Sequence, residues 1–83
     1  MNFRIEIDVM PQKALLDPQG KAVHHGLEEL GLSAIEHVRI GKHITLNIQA
    51  SSKEEAAAHT ELACKKLLVN PVMEHYEYEI FEN

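Results

Sequence analysis

The chain has 83 residues and a formal net charge of −5, with 45% hydrophobic and 25% charged residues. That length holds one domain, 1–83, and not two, and a domain so small buries only about 60% of its unfolded surface. The composition excludes a disordered or fibrous chain. The acidic balance disfavours a nucleic-acid binder, which needs cations to displace the phosphate counterions. Two Phe, two Tyr and no Trp are too few for a base-stacking platform.

The first element is "FRIEIDVM". Phe3, Ile5, Ile7 and Val9 fall on one side and Arg4, Glu6 and Asp8 on the other. This period of two predicts a strand with one buried face. The alternation also denies the N-terminus a continuous signal-peptide core. No apolar run approaches the length of a membrane span. With a single cysteine, Cys64, no intrachain disulfide can form, which suits a reducing compartment. A soluble cytoplasmic protein is expected.

"PQKALL" reads as a connection, opened by a proline that cannot continue the pairing. Asp17 and Pro18 then start a helix. The carboxylate accepts from free N–H groups of the first turn, and proline at the first helical position has none to leave unpaired. Val23, Leu27 and Leu30 recur at i, i+4 and i+7 as an apolar stripe, and Gly31 is the stop. Gly20 and Gly26 each cost this helix up to about 1 kcal/mol relative to alanine.

"SAIEHVRIGKHITLNIQA" reads as two strands around Gly41-Lys42. A two-residue turn would put Ile44, Leu46 and Ile48 on the face opposite Val38 and Ile40. A three-residue loop or a bulge unites the apolar face and is preferred, because register follows burial. The alternative is a sheet whose second face is buried against another subunit.

"SSKEEAAAHTELACKKLLVN" is a second helix, with Ser52 and Glu55 as a capping box. Ala56, Thr60, Ala63 and Leu67 form one row on it, and Ala57, Cys64 and Leu68 form the next. Asn70 and Pro71 end it. "VMEHYEYEIF" is a last strand, with Tyr76, Tyr78 and Ile80 on one side. The expected fold is α+β, a ferredoxin-like β-α-β-β-α-β two-layer sandwich with both helices on one face of an antiparallel sheet.

No stretch carries convincing chemistry. "DPQGKAV" lacks the earlier glycine and the following hydroxyl of a phosphate loop. The six histidines include no pair at metal-ligand spacing, so surface positions are expected and no metal site. Cys64, on a small apolar stripe, reads as a buried structural thiol and not a nucleophile.

Three stretches, "LLDPQGKAV", "VRIGKHITL" and "KKLLVNPVMEHYEYEI", together resemble the PurS family. This is the small subunit of phosphoribosylformylglycinamidine synthase, also called formylglycinamide ribonucleotide amidotransferase. The likeness runs from Phe3 to Ile80. It matches at Asp17, Pro18, Gln19, Gly20 and Val23, at Arg39, Gly41 and Lys42, and at Leu67, Asn70, Pro71 and Val72. His24-His25-Gly26 and a final "FEN" depart from it.

The resemblance implies a non-catalytic subunit of a ligase complex in de novo purine (IMP) synthesis. A glutaminase subunit releases ammonia, and a large synthetase subunit uses ATP and Mg to activate the formyl amide oxygen that ammonia displaces. The small subunit would dimerise, with a tetramer also open, bridge the two, and support ammonia transfer. It would bind no cofactor, nucleic acid or membrane. The expected contact residues are Asp17 to Lys21 (Asp17, Pro18, Gln19, Gly20, Lys21), Arg39, Gly41 and Lys42, and Asn70, Pro71 and Val72. A helix's first turn needs neither Gln19 nor Gly20, so Gly20→Ala is expected to keep the fold and weaken assembly. The alternative is an ACT-like small-molecule-binding regulatory domain of the same topology.

Overall fold

The computed structural model describes residues 1–13 and 17–83. Of the connection read from "PQKALL", Ala14 to Leu16 lie outside the described residues. Strand β1 (Asn2–Pro11) leads to helix α1 (Pro18–Glu29), strand β2 (Lys42–Gln49), helix α2 (Lys53–Ala63) with a π-helical turn over Cys64–Leu68, and strand β3 (Glu74–Glu82). The three strands form one antiparallel sheet in the order β2-β1-β3. The class is α+β, as expected.

The register explains the core. Ile5 pairs with Leu46 and Ile80, and Ile7 pairs with Ile44 and Tyr78, so the alternating apolar residues of the three strands face the same way, with Met10 and Phe81 on the other side. β1 is central. Phe3, Ile5, Ile7 and Val9 are at most 1% exposed. Helix α2 closes this face through Ala56, Thr60 and Cys64, each fully buried. These are small side chains, which let the helix axis come close to the sheet. Thr60 hides its hydroxyl by donating to the Ala56 carbonyl at 2.9 Å. From the solvent side of the core, the Glu61 carboxylate accepts from the Tyr76 and Tyr78 hydroxyls at 2.6 and 2.8 Å. That bond holds the Tyr76 hydroxyl proton and pushes its pKa up to about 12.

Both helices begin as the sequence predicts. Asp17 caps α1 by accepting from the Gly20 N–H at 2.9 Å, with proline in the first turn. At the other end Leu32 N–H donates to Leu27 and Gly31 N–H to Glu28, with Gly31 at φ +83°, a Schellman stop. Ser52 accepts from the Glu55 N–H at 3.1 Å, but the Glu55 carboxylate reaches back one residue further, to Ser51.

Four expectations need correction. First, the stretch 32–40 is not a strand, so the element order is β-α-β-α-β and no hairpin exists at Gly41-Lys42. Its backbone turns left-handed at His37 (φ +57°), and it pairs with no strand among the described residues. The question of a two- or three-residue loop disappears with the hairpin, because β2 takes its register from β1.

Second, only α2 packs on the sheet. Helix α1 buries Gly20 alone, and its stripe lies open at Val23 (43% exposed) and Leu30 (75%). Third, Leu67 leaves the apolar row and is 82% exposed. The π-helical turn, closed by Val69 N–H to the Cys64 carbonyl at 3.1 Å, adds a residue to the last turn and breaks the 3.6 periodicity. Fourth, "FEN" is no appendage. Phe81 and Glu82 complete β3, the Arg4 guanidinium sits 4.6 Å over the Phe81 ring, and Asn83 N–H donates to Asn2.

The molecule is long, at 52 × 27 × 14 Å. Its radius of gyration is 16.5 Å, against about 12 Å for a compact domain of this length. A ten-residue strand of about 33 Å and a twelve-residue helix of about 18 Å, end to end, account for the long axis.

Ile5→Ala is expected to destabilise the chain by about 2–5 kcal/mol, since its site is sealed on all sides. Ile44→Ala, at a half-buried edge position, should cost clearly less. Urea unfolding of the two variants checks the order, and a larger loss at Ile44 would contradict this description of the core.

Candidate functional site

The residues singled out from the sequence come from three separate stretches, and the fold gathers all three at one end of the sheet. β1 ends there at Pro11, and β2 and β3 begin there: Val9 pairs with Lys42 and Pro11 with Glu74. Lys42 Nζ lies 4.0 Å from the Glu74 carboxylate.

Asp17 organises the first two stretches. One carboxylate oxygen accepts from Gly20 N–H and the other from Ile40 N–H at 3.0 Å, with Arg39 Nε 3.5 Å away. These donors hold the Asp17 carboxyl below its usual range, the Gly20 N–H contributing most and the Ile40 N–H next. The Arg39 guanidinium in turn donates to the Pro11 carbonyl at the end of β1. The segment Val38–Gly41 is thereby tied both to the root of α1 and to β1.

The two motif glycines are required by this packing. A Cβ on Gly20 would sit 2.3 Å from the Val38 carbonyl oxygen, and one on Gly41 would sit 2.3 Å from the Val9 carbonyl oxygen. Both are contacts with backbone, which cannot swing aside. The expectation that Gly20→Ala keeps the fold is revised accordingly: Gly20 has a local reason to be glycine, and its replacement disturbs the root of α1.

The third stretch forms its own corner. Asn70 Oδ1 accepts from Val72 N–H (3.0 Å) and Met73 N–H (3.3 Å), and the Asn70 N–H donates to Glu74 Oε1 at 2.9 Å. Gln12, which the sequence reading passed over, stitches this corner to β1. Its backbone N–H donates to the Met73 carbonyl and its side-chain amide to the Glu74 carbonyl. A cavity of about 320 Å³ opens beside it, lined by Cys64, Val69, Pro71 and Tyr76 among others.

The candidates thus divide in two. Asp17, Gly20, Arg39, Gly41 and Asn70 spend their chemistry inside the protein, and Pro18 shapes the helix start. Gln19, Lys21, Lys42, Pro71 and Val72 are exposed, Val72 at 76%.

On the wet face of the sheet, His43 bridges two carboxylates of β1, with Nδ1 2.6 Å from Asp8 and Nε2 2.8 Å from Glu6. Thr45 also donates to Glu6 at 2.6 Å. The alternation of β1 and β2 places all four on one face, but only the β1–β2 register shows that they meet. Asp8, then Glu6, raises the His43 pKa above its ordinary 6.5; Thr45, then His43, lowers that of Glu6 below 4.5. Cys64 is buried, and burial pushes its thiol pKa up, the reverse of what a nucleophile needs. Among the described residues no three His, Cys, Asp or Glu side chains converge to hold a metal ion, and no helix is long and apolar enough to cross a membrane.

The chain is a small α+β domain whose signature residues build one end of a sheet, and its likeness to known proteins gives the family. The family model for PurS, phosphoribosylformylglycinamidine (FGAM) synthase, matches residues 4–82. The phosphoribosylformylglycinamidine synthase subunit PurS of Thermotoga maritima is 42% identical over 76 residues, 90% of this chain and 92% of that one. The same subunit of Bacillus subtilis is 38% identical over 80 residues, 96% of this chain and 94% of the other. The structure of B. subtilis PurS superposes with a TM-score of 0.84 at 38% identity, covering 96% and 99% of the two chains. A chain in the structure of PurLQS from T. maritima superposes at 0.89 and 36% identity, covering 98% and 99%. The chain belongs to the PurS family, and the ACT-like alternative is not favoured.

Two predictions follow from this geometry. Gly20→Ala is expected to destabilise the root of α1 by about 1–3 kcal/mol. Gly26→Ala, whose Cβ meets nothing within 4 Å, should stabilise α1 by up to about 1 kcal/mol. Amide hydrogen exchange in α1 reads both, and equal effects would refute the close contact with Val38.

The His43 bridge gives a pH dependence. Its raised pKa contributes stability that is complete below 6.5 and is lost as pH rises through the raised value. The lowered pKa of Glu6 contributes stability present above 4.5 and lost as pH falls through the lowered value. Both are present between about 4.5 and 6.5. The urea midpoint of His43→Gln should therefore fall less than that of the parent as pH rises above 6.5, and identical profiles would show that the bridge contributes nothing.

Proposed function

We propose that this chain is the non-catalytic assembly subunit of a phosphoribosylformylglycinamidine synthase. It joins glutaminase and ATP-dependent synthetase subunits in the cytoplasm and supports passage of ammonia between them. The observation that carries this reading is the convergence of the three family motifs on one end of the sheet, in a chain that superposes along nearly its whole length on a chain of PurLQS.

The exposed members of that end, Gln19, Lys21, Lys42, Pro71 and Val72, are the contact residues. Asp17, Pro18, Gly20, Arg39, Gly41 and Asn70 hold them in place. ATP and Mg act in the synthetase subunit, and this chain contributes geometry. Ammonia released to bulk water is diluted and protonated, so a complex that keeps the two reactions together raises its effective concentration at the acceptor. The chain also associates with a second copy of itself, for which the exposed Val23, Leu30, Leu32 and Ile35 provide apolar surface.

In size-exclusion chromatography with ATP and glutamine, the chain is expected to co-elute with its glutaminase and synthetase. Lys42→Glu combined with Val72→Asp should weaken that association at least about tenfold (about 1.4 kcal/mol) while leaving the fold intact. Glutamine-dependent synthesis that proceeds equally well without this chain would refute the proposal.

A further inference from the structure

Strand β3 closes one side of the sheet, and its pairing with β1 shows which backbone groups are left over. At the two ends of that pairing Gln12 N–H donates to the Met73 carbonyl and Asn83 N–H to the Asn2 carbonyl, both at 2.9 Å. Hydrogen-bonded and non-hydrogen-bonded positions alternate along an antiparallel pair. His75, Glu77, Glu79 and Phe81 therefore bond to β1. Tyr76, Tyr78, Ile80 and Glu82 turn their N–H and C=O groups away from it, and among the described residues these groups meet no backbone partner. Edges are commonly blunted by proline, a bulge, shortness or a charge turned inward. β3 runs for nine residues without proline, keeps a one-to-one register with β1, and carries its central charges on the outer face alone.

Those charges, Glu77 and Glu79, guard the edge selectively. Two β3 strands set antiparallel edge to edge, in the registers centred at or next to Tyr78, place Glu77 against Glu77, Glu77 against Glu79, or Glu79 against Glu79. Like charges directly opposite each other are destabilising, and opposite charges there are stabilising. A second copy is thus disfavoured and a cationic strand favoured. The β1 side sharpens this demand, because Glu77 pairs with Asp8 and Glu79 with Glu6. His43 of β2 bridges Asp8 and Glu6, whereas Glu77 and Glu79 form no ion pair among the described residues.

We infer that the open edge of β3 docks an extended basic segment of a different protein. That segment adds a strand to the sheet through the backbone groups of Tyr76, Tyr78, Ile80 and Glu82. It has Lys or Arg at alternate positions, opposite Glu77 and Glu79, and apolar residues between them. Main-chain bonds supply affinity in this mode, and alternate side chains supply specificity. The apolar residues lie beside Tyr76, Tyr78 and Ile80, which their own chain leaves half-buried. At the start of the strand, the cavity of about 320 Å³ lined by Cys64, Val69, Pro71 and Tyr76 receives one of them. The edge continues directly from the corner that presents Pro71 and Val72, so the docked strand extends the same contact end.

This rests on the assembly role proposed above and adds to it the chemistry of the partner's surface. The probe is a synthetic peptide as long as β3 that alternates Lys and Val, with a counterpart that alternates Glu and Val. Amide hydrogen exchange of the full chain reads the result. The Lys peptide in excess should slow exchange at Tyr76, Tyr78, Ile80 and Glu82 at least about tenfold. Added salt should weaken the effect, and the Glu peptide should leave those amides unchanged. Glu77→Lys with Glu79→Lys keeps the fold, since both side chains are exposed, and should reverse the choice of peptide. In the chain assembled with its glutaminase and synthetase, the same amides should be slowed. Protection by neither peptide, equal protection by both, a charge reversal that does not switch the preference, or protection that grows with the concentration of this chain alone would each overturn the inference. Its failure is distinguishable from failure of the proposed function. A complex that forms with these amides still exchanging as in the free chain sinks only the docking edge. A chain that selects the Lys peptide yet joins neither catalytic subunit sinks only the function.

Discussion

The carboxylate of Asp17 decides the shape of this molecule. It accepts from α1 on one side and from Ile40, at the end of the stretch 34–40, on the other, and Arg39 connects the pair to the end of β1. A carboxylate with two backbone donors and a guanidinium nearby is a strong, directional anchor. Because it sits where the helix begins and where the stretch 34–40 ends, it ties together both ends of the segment between them. The cost of that tie is an uncovered β2 and an exposed helix stripe. Everything unusual about the chain, from its elongation to its half-buried edge strand, follows from that one corner.

The core that remains is narrow. It consists of the inner face of β1, flanked by one side of each neighbouring strand and sealed by a single helix whose contact residues are small. Ala56, Thr60 and Cys64 buy closeness at the expense of buried area, since each brings little apolar surface. A domain of this size has little stability in reserve. The exposed Val23, Leu30, Leu32 and Ile35 are apolar surface that folding of one chain leaves in water, and association can bury it. A subunit that works only inside a complex can leave part of its hydrophobic stabilisation to its partners.

What was legible in the sequence follows from how local each signal is. The strands of β1 and β3 were readable because alternation is a property of consecutive residues, and the helix starts because Asp-Pro and Ser-x-x-Glu act within one turn. The stretch 34–40 reads as a strand for a reason that alternation cannot address: a strand exists only if a partner is present, and sequence period does not supply one. Leu67 was misplaced because a π-helical turn leaves no periodic mark. The His43 bridge needed the register between β1 and β2. Of the candidate residues, Asp17 and Pro18 were legible as a helix start. The second duty of Asp17 toward Ile40, twenty-three residues away, was not.

The division among the motif residues bears on what a family signature records. Gln19-Gly20 looked like a contact pair because a helix start requires neither. Gly20 is instead required by the Val38 carbonyl, while Gln19 faces solvent. A similar split recurs in Gly41-Lys42 and in Asn70-Pro71-Val72: a residue that makes the local contacts of the corner, followed by ones that the corner presents to solvent. Short corners of this kind determine side-chain direction more tightly than a helix face does, because their closest contacts include backbone atoms, which cannot change rotamer. Residues presented in this way, from three corners at one end of a sheet, have fixed relative positions before any partner arrives. That lowers the entropy lost on association. The motif thus records the shape of this end of the sheet as well as its exposed surface.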